Sequence, residues 1–556
     1  MKKLCTALLL LVLAACQPVQ QPSQESRPST ITAKGIERPK LVVGIVVDQI
    51  RADYIYRFYP HFGEGGFKRL MLEGFNNKNT HYNYIPTYTG PGHASIYTGT
   101  TPAYHGIISN DWYSKADKAM VYCAEDANAV PVGTDGDEGK MSPHRLQAST
   151  ITDELELFTQ KQAKVVGISI KDRGAIMPAG HTPDGAYWFE RTSGNFVSSN
   201  WYHEQLPRWV EEFNGRKLAQ EYLSQTWDTF LPIEEYKETG PDDVPWEGIM
   251  RGKEKPTFPY DLKAIAEQAG GYYLLPSTPF GNTIITQLAK AAIAGEQMGA
   301  DDITDFLAVS FSSTDYVGHM FGPNSKEVED TYVRLDRELA ELFGYLDEQV
   351  GKGQYLVFLT ADHGAAYVPG QLIADKIPAG TFDTDSMETA LGKHLAAEFG
   401  TGTWIENISS NQVFFNRELI GQRGKDLKRV KTVARDFMAV WPHVRLVMDA
   451  EDPALQNAET GVPAALKHGW HPQRSGDLLY DLEPAWFPSG HSTGTTHGSA
   501  FSYDTHVPLL WYGWRVPTGS SSKPQTITDI APTLSMMLNI PLPNSATGEP
   551  ITDLCD

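Results

Sequence analysis

The candidate nucleophile of the chain is Thr89, which stands just before Gly90-Pro91-Gly92. Apolar residues follow at Ala94, Ile96 and Tyr97. Because proline suits the first turn of a helix, this pattern predicts a helix whose N-terminus carries the Thr89 hydroxyl. Unpaired N–H groups and the positive end of the helix dipole attract anions at that position. Alone, Thr89 would be an ordinary helix cap, so a nucleophilic role requires other groups that take its proton.

Acidic and imidazole side chains follow several strand-like runs at spacings that suit metal ligands. Asp362 and His363 are adjacent, whereas Asp315 and His319 are four residues apart and would share one face of a helix. Instead of binding a metal, Asp315 and His319 could form a hydrogen bond with each other. Asp48, a further candidate ligand after a strand-like run, could instead be a helix N-cap. The whole set comprises Asp48, Asp315, His319, Asp362, His363 and His497.

Three aspartates and three histidines divide into two zinc sites, each with three ligands and one open position. We therefore expect two Zn²⁺ ions per chain, about 4 Å apart, which clamp the attacking and leaving oxygens of a displacement at phosphorus. Zn²⁺ lowers the pKa of bound water to about 7, and the same field would favour an alkoxide at Thr89. The metal pair would thus supply the proton acceptor that the helix N-terminus lacks.

Three further polar residues could bind an anion. Lys171 and Arg173 follow an apolar run. Burying two positive charges there is energetically unfavourable unless an anion binds to them. The alternative interpretation is that both residues are solvated surface charges, with Asp172 as their ion-pair partner. Asn110 lies in a loop, where asparagine is often a turn residue, but its amide could also donate to a substrate oxygen.

Apolar, β-branched runs predict strands that are buried on both faces of a parallel sheet. The candidate residues follow the carboxyl ends of these runs, where open α/β sheets bind ligands. Residues 174–188 are turn-rich and then strand-like. The fold class is therefore α/β, with a central, mostly parallel sheet flanked by helices. The predicted strands are Leu41–Val47, 164–170, 306–312, Tyr355–Thr360 and 507–512, and the predicted helices are 282–295, 328–350 and 528–539.

Two long segments interrupt this alternation and are predicted insertions. The second contains a strand at 411–416, a helix at 425–441 and a strand at 444–448, which indicates a small β-α-β subdomain. The resulting organisation is a lipoprotein signal peptide at 1–15, a flexible tether at 16–40, catalytic core at 41–189, 271–370 and 490–556, and insertions at 190–270 and 371–489.

The first residues predict the compartment. Lys2 and Lys3 precede an apolar run that is too short to cross a bilayer, which is typical of a secretory signal. The closing Leu-Ala-Ala-Cys16 resembles a bacterial lipobox, which implies cleavage before Cys16 and lipid on its sulfur. A plain cleaved signal is the alternative. We expect a lipoprotein on the periplasmic or cell-surface side of a bacterial membrane.

Composition limits the class of partner. The chain has 556 residues, a formal charge of −21 and 41% hydrophobic residues, so it can bury a large core but does not favour nucleic acid. An anionic substrate then needs a locally positive site. Cys123 and Cys555 could pair in an oxidising compartment, or both could stay unpaired.

Taken together, four motifs resemble the alkaline phosphatase superfamily. They are Thr89-Gly-Pro-Gly-His, Ser-Thr-Asp315 with His319 four residues on, Thr-Ala-Asp362-His363-Gly and Thr-His497-Gly. Within the superfamily the chain resembles the phosphate-insensitive PafA-type alkaline phosphatases, which use a threonine nucleophile. It is more distantly similar to nucleotide pyrophosphatase/phosphodiesterases. The resemblance runs from Val42 to about Ile551, and the motifs are specific only in combination.

The resemblance implies a role for each matching position. Asp48, Asp362 and His363 would bind the zinc that also holds the Thr89 oxygen. The second group of ligands would bind the zinc that takes the leaving-group oxygen, and three residues would contact the non-bridging phosphate oxygens. That second group is Asp315, His319 and His497, and the phosphate contacts are Asn110, Lys171 and Arg173.

The implied function is a broad-specificity phosphate monoester hydrolase that acts through a phosphothreonine intermediate. Its partners would be small phosphate monoesters and, through Cys16, a membrane; we expect a monomer. Sulfatases of the superfamily need a modifiable cysteine where Thr89 stands, and the diesterase branch lacks the Lys171/Arg173 pair. The alternatives are a phosphodiesterase or nucleotide pyrophosphatase on the same scaffold, and a non-catalytic zinc-binding lipoprotein.

Replacing Cys16 tests the anchor. Cys16→Ser should release the protein from the membrane fraction, because the thiol is the only place where the lipid would attach. Its catalytic rate should not change, since the tether separates the anchor from the folded chain. Fractionation of cells that express each form is the measurement. Wild-type protein found wholly in the soluble fraction would contradict the lipobox interpretation.

Overall fold

Apolar runs form the centre of the fold, as the sequence predicts. The computed structural model describes residues 37–488 and 493–554, and the described residues from Arg38 onward form one compact unit. The predicted signal peptide, Cys16, most of the predicted tether and Cys555 lie outside the described residues.

Strands form at each of the five predicted runs, within one residue of the predicted ends. The strands of the described residues are β1 (Leu41–Val47), β2 (Phe75–His81), β3 (Asp111–Ser114), β4 (Ala119–Tyr122), β5 (Pro131–Val132), β6 (Val165–Ser169), β7 (Gly185–Glu190), β8 (Asn195–Ser199), β9 (Thr226–Trp227), β10 (Tyr260–Asp261), β11 (Asp305–Phe311), β12 (Tyr355–Thr360), β13 (Gly380–Phe382), β14 (Ile405–Ser409), β15 (Gln412–Phe415), β16 (Val444–Asp449), β17 (Leu478–Leu482), β18 (Trp486–Pro488), β19 (His506–Gly513), β20 (Gly519–Ser521) and β21 (Gln525–Thr526).

Eleven strands of the described residues form one sheet, in the order β20-β2-β19-β12-β1-β11-β6-β7-β8-β5, with β21 beside β2. The central strands β12, β1, β11, β6 and β7 are parallel, whereas β19 and β8 run antiparallel to their neighbours. Val46 of β1 lies opposite Thr360 of β12 and Ser310 of β11, so the carboxyl ends of these three strands are level. The prediction of a central, mostly parallel sheet is confirmed.

Helices flank the sheet, and apolar periodicity accounts for the long ones. None of the helices in residues 37–488 and 493–554 combines the length and the apolar character needed to span a bilayer. The helices are α1 (Tyr54–Arg57), α2 (Phe67–Glu73), α3 (Thr89–Thr98), α4 (Pro102–His105), α5 (Ile151–Phe158), α6 (Asp172–Ala179), α7 (Arg208–Gly215), α8 (Leu218–Tyr222), α9 (Leu262–Ala269), α10 (Phe280–Gly295), α11 (Ser313–Phe321), α12 (Lys326–Leu346), α13 (Pro369–Ala374), α14 (Thr384–Phe399), α15 (Arg417–Gln422), α16 (Leu427–Met438), α17 (Pro453–Gln456), α18 (Gly461–Gly469), α19 (Ser502–Thr505) and α20 (Ile530–Leu538).

The sequence predicts that residues 174–188 are turn-rich and then strand-like; β7 confirms the strand, but the first part of the segment is helical. Helix α6 begins directly after β6, and β7 follows it. Gly174 and Pro178 conceal this helix in the sequence, because both residues are unfavourable in helix interiors. A Cβ on Gly174 would approach Ser169 Oγ to 2.6 Å and Ser310 Oγ to 2.9 Å, so glycine lets α6 pack directly on the sheet.

The segment 371–489 forms a second small sheet with its own apolar core. Its strand order is β14-β15-β17-β16, and every neighbouring pair is antiparallel. The predicted strand, helix and strand correspond to β15, α16 and β16. However, β17 lies between the two strands, so the unit is a split β-α-β rather than a simple one. Pairing with a later strand could not be read from local periodicity.

Buried acids near the start of α12 fasten the segment 226–236 to the core. Asp330 is fully buried and accepts hydrogen bonds from Trp227 Nε1 at 2.7 Å, Phe230 N at 2.6 Å and Tyr236 Oη at 2.6 Å. Arg334 Nε donates to the same carboxylate at 2.7 Å. A negative charge near a helix N-terminus also interacts favourably with the helix dipole. One carboxylate therefore holds this part of the 190–270 segment against α12.

Removal of that carboxylate should destabilise the protein strongly. Asp330→Ala leaves the donors of Trp227, Phe230 and Tyr236 buried without an acceptor, which should lower the free energy of unfolding by about 3 kcal/mol or more. Chemical denaturation is the measurement, with Asp228→Ala as the control because Asp228 is exposed in the same segment. Equal stability of the two variants would contradict the fastening role.

Candidate active site

The level ends of three parallel strands bring the predicted acids together. Asp48 directly follows β1, Asp362 and His363 follow β12, and α11 after β11 carries Asp315 and His319. Since the strands are neighbours in the sheet, residues separated by more than three hundred positions in the chain meet at one edge. His497 joins them from the segment before β19. All six predicted ligands are within one site.

The first group of ligands consists of Asp48, Asp362 and His363, which are completely buried. His363 Nε2 lies 3.4 Å from Asp48 Oδ1 and 3.5 Å from Asp362 Oδ2. Neither of these two carboxylate oxygens accepts a hydrogen bond from any described residue. One ligand atom from each residue can be chosen so that all three lie within 4.8 Å of one another, which suits a single metal ion.

The second group consists of Asp315, His319 and His497. His319 Nε2 lies 3.1 Å from Asp315 Oδ1, and His497 Nε2 lies 3.8 Å from the same oxygen. The rings of His363 and His497 stack with centroids 3.4 Å apart, so the two groups are in direct contact. The structure thus sorts the six ligands into the two triads that the resemblance implies.

The orientation of all three imidazoles is set by backbone carbonyls. Nδ1 of His363 lies 2.9 Å from Gly364 O, Nδ1 of His319 lies 2.8 Å from Thr495 O, and Nδ1 of His497 lies 2.7 Å from Thr87 O. A carbonyl oxygen can only accept, so each Nδ1 carries the hydrogen. In the neutral ring, Nε2 therefore presents its lone pair towards the carboxylates, as a metal ligand must.

Lys171 connects the two groups. Its ammonium nitrogen lies 2.7 Å from Asp48 Oδ2 and 2.6 Å from Asp315 Oδ2, and it donates to Thr89 Oγ1 at 3.4 Å. The two carboxylates raise the pKa of Lys171 despite its burial, so it stays charged. The Lys171 charge is thus buried beside the candidate nucleophile and is not a solvated surface charge.

Thr89 is the first residue of α3, and it is buried. Its Oγ1 lies 3.5 Å from His363 Nε2. Gly92, in the next turn position, packs against Asp362, where a Cβ would come within 2.5 Å of the Asp362 carbonyl oxygen. Glycine at position 92 therefore allows the start of α3 to pack against the loop that carries Asp362 and His363.

The other two predicted anion contacts have different surroundings. Asn110 Oδ1 accepts a hydrogen bond from Gly90 N at 2.7 Å, so this side chain adjoins the N-terminus of α3. Within the described part of the chain, Arg173 donates from a terminal nitrogen to Tyr122 Oη at 2.9 Å and to none of the six ligands. Its Nε is buried and has no acceptor among the described residues. Arg173 thus keeps a donor available although Tyr122 holds its guanidinium.

Burial dominates the electrostatics of the site. It raises the pKa of Asp48 to about 7, with help from the charges of Asp315 and Asp362, and it raises the pKa of Asp362 to about 6. Burial lowers the pKa of His363 to about 4 and that of His497 well below its usual value. These two imidazoles are therefore neutral at pH 7, the form that binds metals.

Burial also opposes the negative charge of Asp315, but the positive charges of His319 and Lys171 outweigh it and hold the pKa of Asp315 well below its usual range. Asp315 is therefore ionised at neutral pH.

These observations fit a pair of metal ions. The donor sets are two carboxylates with one imidazole, and one carboxylate with two imidazoles, which are ligand types that zinc accepts. Two orphaned carboxylate oxygens lie in the first group, and the Nε2 atoms of all three histidines face carboxylate oxygens of these groups. The residues present therefore match the metal chemistry that the sequence predicts.

Two residues near the site escaped the sequence reading. Gln49 donates from its amide to Asp315 Oδ1 at 2.7 Å and from its backbone N–H to Asp362 Oδ1 at 3.2 Å, which links the two groups. Its φ of 66° is unusual for a residue other than glycine, and such strain often marks a functional position. Tyr122, which holds Arg173, carries no recognisable local signal.

The chain is similar to known phosphate-ester hydrolases over almost its whole length. The profile of the type I phosphodiesterase / nucleotide pyrophosphatase family matches residues 42–505. Alkaline phosphatase PafA of Elizabethkingia meningoseptica is 46% identical over 521 residues, which cover 93% of this chain and 95% of that protein. Alkaline phosphatase PhoV of Synechococcus elongatus is 43% identical over 553 residues, covering 100% and 99%. A crystal structure of wild-type PafA superposes with a TM-score of 0.91 at 45% identity, covering 94% of this chain and 100% of that chain.

Proposed function

Because the chain belongs to the type I phosphodiesterase/nucleotide pyrophosphatase family and resembles its PafA-type alkaline phosphatases over nearly its whole length, we propose that it hydrolyses phosphate monoesters. Thr89 would be the nucleophile, and a phosphothreonine would be the covalent intermediate. The observation that carries the proposal is the buried Thr89 hydroxyl, within 3.5 Å of both His363 Nε2 and the Lys171 ammonium nitrogen. No other described hydroxyl shares these two neighbours.

The metal groups would hold two Zn²⁺ ions per chain. Asp48, Asp362 and His363 would hold one, and the Asp315 triad would hold the other. When bound, the ions would supply positive charge that favours ionised Thr89 oxygen and offsets negative charge on the leaving oxygen. The protein's own part is to orient the three imidazoles through backbone carbonyls and, by burial, to keep His363 and His497 neutral.

The covalent step follows from the placement of Thr89. Its Oγ1 would release its proton to solvent and attack phosphorus as the bond to the leaving oxygen breaks, and the leaving alkoxide would take a proton from water. A water molecule would then attack the phosphothreonine, break its P–Oγ bond, and restore the threonine hydroxyl as phosphate departs. The N-terminus of α3 would stabilise the anion in both steps.

Asn110 and the two cations would bind the non-bridging oxygens. Asn110 Oδ1 accepts from Gly90 N, which leaves the amide N–H groups of this side chain to donate to a phosphate oxygen, since they donate to no other described residue. Lys171 is a point charge beside Thr89, whereas Arg173 can grip two oxygens and has a buried Nε without an acceptor among the described residues. This pair favours a dianionic monoester over a monoanionic diester.

A phosphodiesterase or nucleotide pyrophosphatase on the same scaffold is the second candidate. The observation that favours it is the ion pairing of Lys171 with Asp48 and Asp315, because it neutralises the positive charge that a monoester dianion would need.

We also propose that the mature protein is a monomer, is anchored through lipid at Cys16 on the periplasmic or cell-surface side of a bacterial membrane, and has broad specificity for small phosphate monoesters. With a formal charge of −21 it would not act on nucleic acid.

Substitution of Thr89 tests the nucleophile. Thr89→Ala should lower kcat for an aryl phosphate by about a thousandfold or more, because no other hydroxyl can form the covalent intermediate. Thr89→Ser should remain active, since it keeps the hydroxyl. The zinc content of both variants should stay close to that of wild type, because the six other ligands remain. A near-normal rate for Thr89→Ala would refute the assignment, and wild type without activity on any phosphate ester would favour a non-catalytic zinc protein.

Substitution of the cation pair distinguishes the two candidate functions. Lys171→Ala with Arg173→Ala should lower kcat/KM for a monoester by several orders of magnitude, because charged hydrogen bonds to a transferring phosphoryl group give about a hundredfold or more each. Hydrolysis of the matching diester should fall much less, since it has no second charge to lose. The measurement is the ratio of the two activities.

A control for this experiment is Lys161→Ala with Lys164→Ala, because these cations are exposed at the opposite end of β6. The control should leave both rates unchanged. If the ratio in the Lys171/Arg173 variant equals that of wild type, the pair does not select monoesters and the diesterase function becomes the better candidate.

A further inference from the structure

A third group of possible metal ligands shares no residue with the two active-site groups. His61 ends a short turn after α1, Glu238 lies in the segment 226–260, and Glu329 is in the first turn of α12. His61 Nε2 lies 2.8 Å from Glu238 Oε2 and 3.4 Å from Glu329 Oε1. The three ligand atoms lie within 4.8 Å of one another. Three elements that are distant in the chain thus converge on a volume the size of one ion.

The Glu329 carboxylate points into this group without a complete set of partners. Its side chain is 0% exposed, and Thr239 Oγ1 donates to its Oε2. Its other oxygen, Oε1, faces His61 and accepts no hydrogen bond from any described residue. A buried carboxylate oxygen without a donor is costly, so this oxygen indicates a missing positively charged or donating partner.

Charge balance points to a divalent cation as that partner. Burial and the adjacent Glu238 raise the pKa of Glu329 to about 7, so the group reaches a charge of −2 only when a cation favours the ionised carboxylates, and a divalent ion neutralises that charge. A protonated His61 would balance only one of the carboxylates. The donor set of two carboxylates and one imidazole is also that of Asp48, Asp362 and His363. The 3.4 Å between His61 Nε2 and Glu329 Oε1 fits ligands held at about 2.1 Å in a tetrahedral site. The 2.8 Å between His61 Nε2 and Glu238 Oε2 is a hydrogen-bond distance, which would lengthen when an ion replaces the shared proton.

We propose that His61 Nε2, Glu238 and Glu329 bind a third Zn²⁺ ion. The ion would join the turn before α2, the segment 226–260 and the N-terminus of α12, and would add to the attachment that Asp330 provides. Its role would be structural, because among the described residues none of its ligands forms a hydrogen bond or ion pair with Thr89 or with the six predicted active-site ligands. The fourth position would be open to water, since His61 and Glu238 are partly exposed.

The direct test is anomalous diffraction at the zinc edge from crystals of the wild-type protein equilibrated with Zn²⁺. A peak about 2.0–2.2 Å from His61 Nε2 and from a Glu329 carboxylate oxygen would support the proposal. Peaks confined to the two active-site groups at saturating Zn²⁺ would overturn it. This measurement does not depend on whether any variant folds.

Metal analysis of variants provides an independent test. Wild type dialysed against dilute Zn²⁺ should retain about three zinc ions per chain, whereas Glu238→Gln and Glu329→Gln should each retain about two. Glu235→Gln is the matched control, because Glu235 is exposed in the same segment, and it should retain about three. Phosphatase activity of Glu238→Gln at saturating Zn²⁺ should stay within about twofold of wild type. Equal zinc content in all four proteins would overturn the proposal.

The test of the third metal site and the test of the proposed function can fail independently of each other. A wild-type protein that lacks phosphatase activity but holds zinc at His61, Glu238 and Glu329 would refute the function and support the third site. An active enzyme with zinc only at the Asp48 and Asp315 groups would do the reverse.

Discussion

The structure depends on the burial of three carboxylates at one edge of the sheet. Asp48, Asp315 and Asp362 are each exposed by no more than 3%, and they meet because β12, β1 and β11 are parallel and end at the same level. Like charges so close together repel one another and lose hydration, so a fold that keeps them must bring cations to the same place. Lys171 contributes one such charge, and the orphaned oxygens of Asp48 and Asp362 indicate that more is needed. The orientation of three imidazoles by backbone carbonyls serves the same end.

A second concentration of buried acid organises the 226–260 segment. Glu327, Glu329 and Asp330 follow one another in the first two turns of α12, and all three are fully buried. The helix dipole favours negative charge there, and donors from Trp227, Phe230, Tyr236, Thr239 and Tyr260 satisfy much of it. Because α12 directly follows α11, the helix with Asp315 and His319, this segment also supports one half of the active site. The 190–270 segment is thus tied to the catalytic core through the same kind of interaction that builds the core.

Sequence reasoning succeeded where a local pattern determines the structure. Continuous β-branched runs predicted the central strands, and the rule that ligands follow strand ends brought six ligands to one place. It failed where the decisive contact is distant or where a residue type misleads. Gly174 and Pro178 concealed α6, β17 separated the two strands of the predicted β-α-β unit, and Gln49 required knowledge of its backbone conformation. His61, Glu238 and Glu329 have no spacing that connects them. The roles of Thr89, Asn110, Lys171 and Arg173 in catalysis stay predictions, because geometry shows only where they are.

The position of Lys171 couples metal binding to the choice of substrate. In the structure its ammonium group lies within 2.7 Å of two carboxylate oxygens, so much of its positive charge is used inside the protein. A phosphate dianion can compete for Lys171 only if other cations neutralise the negative charges of Asp48 and Asp315. Zinc at the two active-site groups would do so, since both carboxylates are among its ligands. Under the proposed function, the charges of Lys171, Asp48 and Asp315 therefore determine both the affinity for metal and the preference for monoesters. A change that weakens the hold of Asp48 or Asp315 on the metal would then also lower the discrimination between monoester and diester, even if Lys171 and Arg173 were untouched.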